Sequence, residues 1–103
     1  SEVSSPGLEL NLRGQTTEEA LPNLEKYLND AYLAGLPQVR IIHGKGTGAL
    51  RHVVRDFIAN HPLVASHRPG DQYEGGEGAT VVELVPRSDL SSEMDRFRYY
   101  RKV

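Results

Sequence analysis

Apolar residues change their spacing repeatedly along this chain, and each change marks a new element. Leu8, Leu10 and Leu12 alternate with Glu9, Asn11 and Arg13, the period-two pattern of a strand with one apolar face, which Gly14 closes. Thr16 or Thr17 then offers a helix N-cap, and Glu19, three residues after Thr16, completes a capping box. Leu21, Leu24, Leu28 and Ala31 follow at helical spacing, predicting a first helix from Thr17 to about Ala34. Pro22 kinks that helix if Thr16 is its cap, and falls in the tolerated first turn if regular helix begins nearer Glu19. Gly35-Leu36-Pro37 ends it, and Val39, Ile41 and Ile42 form a second strand. Leu50, Val53, Val54, Phe57 and Ile58 give the i, i+3, i+4, i+7, i+8 stripe of a second helix, stopped by Asn60-His61-Pro62. Leu63–Arg68 reads as a short strand, Pro69–Gly78 as a glycine-rich acidic loop and Ala79–Val85 as an apolar β-branched strand. The order is βαβαββ. Right-handed crossovers then place both helices on one face of a four-stranded sheet, a two-layer α/β sandwich.

At 103 residues the chain has the size of one domain with a single modest core. Residues 1–7, SEVSSPG, read as a linker end, residues 8–85 as the body, and residues 86–103 as an appended tail. Leu90, Met94 and Phe97 are spaced i, i+4, i+7, so Asp89–Tyr100 fits an amphipathic helix. Arg96, Arg98, Arg101 and Lys102 interleave with Tyr99 and Tyr100, a mixture suited to unpaired bases and phosphates. A frayed, solvated tail is the simpler reading and the preferred one. No apolar run is long enough to cross a membrane, and no signal-peptide pattern opens the chain. With no cysteine, disulfides and thiolate metal sites are excluded, and a reducing, cytoplasmic location is expected.

The formal net charge of −2 does not mark a nucleic-acid binder, yet the charge is unevenly laid out. Ser1–Pro37 carries Glu2, Glu9, Glu18, Glu19, Glu25 and Asp30 against Arg13 and Lys26, whereas Gln38–Arg55 carries Arg40, Lys45, Arg51 and Arg55 with no acid. Phosphate contacts act over a Debye length of about 8–10 Å, so local sign outweighs the total. A basic site on an acidic body is the expectation.

That basic stretch, QVRIIHGKGTGALRHVVR, passes from a strand through a glycine-rich turn directly into a helix. Gly44, Gly46 and Gly48 lack a Cβ, so the backbone can take positive φ and gather N–H groups around one ligand oxygen. The helix starting near Gly48 adds unpaired donors and the positive end of its dipole. A phosphate is the expected guest. The spacing is neither a Walker loop nor the dinucleotide fingerprint, and a tight turn selected for backbone geometry alone is the competing explanation. Within the turn, His43, with an ordinary pKa of about 6.5, is the best available general acid or base; a histidine that merely caps the turn is its alternative. Lys45 suits phosphate as a point charge, and Thr47 can cap the helix or donate to a phosphate oxygen. Arg51 and Arg55, four apart, share one helix face. His52 is a weaker candidate, and His61 and His67 read as incidental. Glu74 and Glu77 in YEGGEG are the candidate ligands for Mg²⁺ or Mn²⁺, although solvated loop acids are the preferred reading and no His/Asp/Glu spacing matches a dedicated metal site.

Three strings, LELNLRG at Leu8–Gly14, IIHGKGTGALR at Ile41–Arg51 and GGEGATVVEL at Gly75–Leu84, together resemble the Smr (small MutS-related) domain. The likeness is to the form at the C-terminus of the second, recombination-associated branch of bacterial MutS-like proteins, and it covers residues 8–85. It implies a fold like the C-terminal domain of a bacterial translation initiation factor. It also implies kinship with nucleic-acid endonucleases, some of which nick DNA while others act on messenger RNA at stalled or collided ribosomes. The family's first motif usually reads Leu-Asp-Leu-[His or Arg]-Gly, with its acid and its basic residue implicated in cleavage; here Asn11 and Arg13 occupy those positions. Asn11 is neither a general base nor a charged metal ligand, whereas Arg13 can clamp a phosphate or stabilise developing charge. The catalytic set expected on this resemblance is His43, Arg13 and Lys45. The expected nucleic-acid contacts are Asn11, Arg13, Gly44, Lys45, Gly46, Thr47, Gly48, Arg51 and Arg55. Implied partners are DNA, branched forms included, RNA or a ribosome, and the rest of a MutS-like ATPase chain, with no membrane. The alternative is a module that docks a larger machine on nucleic acid without cutting it, and a small phosphorylated ligand is a third class.

Overall fold

The computed structural model describes residues 6–87. Most of the predicted linker and of the predicted tail, including the helix expected over Asp89–Tyr100, lie outside the described residues. The elements follow the predicted order: β1 (Glu9–Asn11), α1 (Thr17–Leu33), β2 (Gln38–Ile42), α2 (Ala49–Ala59), β3 (Val64–Pro69), a 3-10 turn (Gly76–Gly78) and β4 (Ala79–Leu84). They build one four-stranded sheet in the order β1-β2-β4-β3. β1 and β2 are parallel, as strands joined through a helix must be to share a sheet in this way, while β4 inserts antiparallel to both β2 and β3.

Local chemistry explains where α1 begins. The Thr16 side chain accepts from the Glu19 N–H and the Glu19 carboxylate accepts from the Thr16 N–H, so the predicted capping box is formed and Thr16 is the cap. Pro22 therefore lies inside the helix, where it removes the donor that would otherwise reach the Glu18 carbonyl. The apolar stripes of α1 and α2 meet the sheet in one cluster: Leu24, Leu28, Ala31, Val54 and Ile58 pack with Leu12, Val39, Ile41, Val82 and Leu84. Both helices thus cover the same face. β4 is one of the two inner strands, and its sequence ATVVEL is buried at every position but Glu83. Leu8 departs from the predicted apolar face. It is 67% exposed, because β1 begins only at Glu9 on the edge of the sheet. Among the described residues no helix is long and apolar enough to cross a membrane.

Candidate nucleic-acid interface

Parallel pairing of β1 with β2 decides where the site lies. Both strands end at the same edge of the sheet and each leads into a helix N-terminus, the place where open α/β sheets bind ligands. An open cleft of about 340 Å³ forms there, lined by Gly14, Gln15, Thr16 and Thr17 from the entry to α1 and by His43 through Arg51 from the entry to α2. Two helix dipoles therefore direct their positive ends at one cleft. The contribution of α1 was not legible in the glycine motif; its only sequence signal is the capping box.

The turn amides divide into two groups. The N–H groups of His43 and Gly44 both donate to the Gly78 carbonyl, at 3.0 and 2.9 Å, and the Gly48 N–H closes the turn onto the Lys45 carbonyl at 2.9 Å. The expectation that Gly44 and Gly48 present their amides to a ligand is corrected by these bonds. Their glycine character serves the fold: both take positive φ, and a Cβ on Gly44 would sit 3.1 Å from Cγ of Arg13. The amides of Lys45, Gly46 and Thr47, which lie on the exposed part of the turn, and those of the first turn of α2 are left to face an anion. Thr47 Oγ1 lies 3.4 Å from the Ala49 N–H, too long for a firm cap, and Gly48 has no side chain to supply one.

Arg13 lies across the turn, its side chain against Gly44. It is held by Asn11, whose Oδ1 accepts from the Arg13 backbone N–H at 3.0 Å and from Arg13 Nε at 3.2 Å. An amide oxygen thus orients the guanidinium as a carboxylate would, without a negative charge to neutralise it. The terminal guanidinium nitrogens of Arg13 and the ammonium of Lys45 have no carboxylate partner among the described residues. Arg51 is drawn weakly toward Glu77, at 3.9 Å.

Arg55, expected to act with Arg51, is committed elsewhere. Its Nε donates to Thr80 Oγ1 at 2.9 Å, Nη2 donates to the Ala79 carbonyl at 3.3 Å and Nη1 lies 3.4 Å from the Glu77 carboxylate. His43 is 4% exposed, with Nε2 2.8 Å from Thr80 Oγ1 and Nδ1 3.0 Å from the Gly44 carbonyl. Burial lowers its pKa from the ordinary histidine value, and Arg55 and Arg51 push it the same way against the Gly44 carbonyl and Glu77. His61, read as incidental, is structural: its Nδ1 accepts from the Leu63 N–H at 3.1 Å and Nε2 meets Glu25 at 2.7 Å, tying the end of α2 to α1.

The Smr domain profile matches residues 10–85, most of the chain. The chain belongs to the Smr domain family. This Smr domain is 62% identical over 77 residues to "Putative endonuclease MutS2" of Bacillus subtilis (strain 168), a match covering 75% of this chain and 10% of that protein. It is 60% identical over 76 residues to "Endonuclease MutS2" of Shouchella clausii (strain KSM-K16), covering 74% and 10%. The chain therefore spans about a tenth of the length of these relatives. The crystal structure of the Smr domain of Thermus thermophilus MutS2 superposes with a TM-score of 0.75 at 42% identity, covering 78% of this chain and all of that one. YdaL, a stand-alone small MutS-related protein from Escherichia coli, gives 0.72 at 30% identity, covering 75% and 63%.

The Smr fold brings Lys45, Gly46, Thr47 and Arg51 to one cleft with Arg13 against Gly44 of its lining, and it does not bring the candidate metal ligands together. Glu74 is held bidentately by Arg68, at 2.7 and 3.0 Å, which keeps its carboxyl at about 2, well below the usual range, with help from the Asp71 N–H. Glu77 turns instead to Arg55 and Arg51. Among the described residues no three His, Cys, Asp or Glu side chains assemble a metal site. Among the described residues Glu74 and Glu77, each turned to arginine, do not fit a shared site for Mg²⁺ or Mn²⁺. Sequence reading also missed Gly78 and Thr80, the partners that hold the turn from β4; a threonine in an apolar β-branched strand carries no signal of that role.

Proposed function

We propose that this Smr domain grips the sugar–phosphate backbone of nucleic acid in the turn cleft and nicks a phosphodiester held there, as one module of a larger MutS2-like protein in the cytoplasm. The observation that carries the reading is the convergence of Lys45 and Arg51 with two helix N-termini on a single cleft, with Arg13 packed against Gly44 of its lining. A phosphodiester undergoing cleavage develops charge on its non-bridging and leaving oxygens, and preorganised cations and backbone dipoles are the largest single aid to that step. Arg13, fixed by Asn11, offers a planar fork to two phosphate oxygens, whereas Lys45 offers a point charge on the exposed turn. The names of the relatives, endonuclease MutS2, support strand cleavage. Backbone contacts of this kind bind DNA and RNA alike.

The second reading, a module that docks its parent protein without cutting, is favoured by Asn11, which is no base, and by the engaged nitrogens of His43. One experiment separates the two. Wild type, Arg13→Ala and Lys45→Ala are incubated with supercoiled DNA and with structured RNA, with Mg²⁺ and with EDTA, while binding is measured in parallel. Nicking is expected from wild type and a loss of about 10²-fold from Arg13→Ala. Binding without wild-type nicking on either substrate leaves the docking module. Absence of binding overturns both.

A further inference from the structure

A buried polar chain runs from α2 to the glycine turn, and the direction of every hydrogen in it is forced. Arg55 Nε carries a hydrogen and no lone pair, so it donates to Thr80 Oγ1 at 2.9 Å. Thr80 is fully buried, and its hydroxyl hydrogen needs an acceptor; its other partner is His43 Nε2 at 2.8 Å. Nε2 must then be unprotonated. At the far side of the ring, the Gly44 carbonyl can only accept, so Nδ1, 3.0 Å away, carries the ring hydrogen. The chain reads Arg55 to Thr80 to His43 to the Gly44 carbonyl, and no buried side-chain polar atom among the described residues lacks a partner.

We infer that Thr80 is the positioning residue of this site, and that His43 is a link of fixed tautomer between Thr80 and the glycine turn rather than a carrier of protons to or from the substrate. Neither ring nitrogen is free to meet a phosphate or a water in the cleft. A protonated His43 would bring a second donor to Thr80 Oγ1, leave the hydroxyl hydrogen without an acceptor in a buried place, and set a third cation beside Arg55 and Arg51 of α2, with only Glu77 of the loop opposing. What the chain accomplishes is alignment. Together with the bonds from His43 N–H and Gly44 N–H to the Gly78 carbonyl, it pins the entrance of the turn to β4, and so fixes where Lys45 and its neighbouring amides stand. It also explains why Arg55 is withheld from the cleft while Arg51, one turn earlier on the same face, is not. The inference rests on the turn cleft being where nucleic acid binds, but its first test does not.

That test is the side-chain ¹⁵N–¹H correlation spectrum of the uniformly ¹⁵N-labelled 103-residue protein. The expected result is a single neutral form of His43, protonated on Nδ1 with Nε2 as acceptor, unchanged on saturation with a short single-stranded oligonucleotide. His43 protonated on Nε2, or charged at pH 7, overturns the inference without any variant. Thr80→Val and Thr80→Ser supply the second test. Valine keeps the shape and removes the hydroxyl, so the ring is expected to lose its single tautomer and affinity for a fluorescein-labelled oligonucleotide to fall about tenfold, while serine restores both. Thr80→Val with wild-type tautomer and wild-type affinity also overturns it. Should wild type bind no oligonucleotide, the functional reading fails and the spectrum still decides the tautomer.

Discussion

Removing Lys45 tests the site through the salt dependence of binding rather than through affinity alone. Three cations border the cleft without a close carboxylate: Arg13 over Gly44, Lys45 on the turn and Arg51, whose Glu77 contact is 3.9 Å. Each phosphate neutralised on B-DNA contributes a slope of about −0.9 to log K against log salt, so three contacts give about −2.7. Wild-type affinity is then expected to drop about 40-fold between 50 and 200 mM salt, and that of Lys45→Ala or Arg51→Ala only about 12-fold. Arg55→Ala makes the contrast. Its guanidinium is engaged by Thr80, Ala79 and Glu77, so its loss is expected to weaken binding by loosening the turn, with the slope of wild type retained. The assay is fluorescence anisotropy of a labelled duplex titrated at four or more salt concentrations, with circular dichroism confirming that each variant is folded. Slopes equal to wild type in both Lys45→Ala and Arg51→Ala would place the phosphates elsewhere. A flattened slope in Arg55→Ala alone would refute the division of labour drawn between the two arginines.

Other substitutions probe single contacts. Glu77→Gln removes the carboxylate that shares Arg51 and Arg55 at 3.9 and 3.4 Å, and is expected to raise duplex affinity about two- to fivefold, the range of an exposed ion pair; an affinity lower than wild type by the same anisotropy assay would show that Glu77 assists binding. Gly44→Ala puts a Cβ on a residue at φ +79° and 3.1 Å from Cγ of Arg13, and is expected to cost about 1–2 kcal/mol in urea unfolding together with part of the affinity. Glu74 has its carboxyl depressed to about 2 by Arg68, so its contribution to stability is full above the unfolded value of 4.5 and is lost as pH falls through 2. The stability gap between wild type and Glu74→Gln is accordingly expected to be constant above pH 4.5 and to close toward pH 2; a gap independent of pH over that window would mean that the ion pair contributes nothing.

The fold was legible because its elements announce themselves locally. The stripe from Leu50 to Ile58 and the capping box at Thr16 and Glu19 each specify a helix from residues a few positions apart, and both helices formed as read. Order within the sheet depends on which strands meet across space. That β4 lies between β2 and β3 is not stated by its residues: ATVVEL is almost continuously buried, yet the other inner strand, β2, alternates. Leu8 misled differently: its spacing fits a strand and its carbonyl accepts from the Arg40 N–H, but its side chain stays 67% exposed at the edge of the sheet.

The site divides along a similar line. Positive charge in HGKGTGALR is visible in sequence, whereas the capacity of each charge to meet a ligand is set by partners more than twenty residues away. Arg51 and Arg55 illustrate the difference, being the same residue type, one turn apart on one face of α2. Thr80 and the Ala79 carbonyl, at the start of β4, engage only Arg55 and convert it from a contact into a support. Asn11 shows the converse. Exchanging the family's usual acid for an amide looks in sequence like a lost function, yet Oδ1 still holds Arg13 through two bonds and leaves the cleft one negative charge poorer. A cleft with less negative charge binds a polyanion better, and a cleft without a base activates water less well. On the proposed function the two effects both favour holding over cutting, and Asn11→Asp measures them at once: weaker binding together with faster nicking if the position can act on the phosphate, weaker binding alone if its work is to orient Arg13.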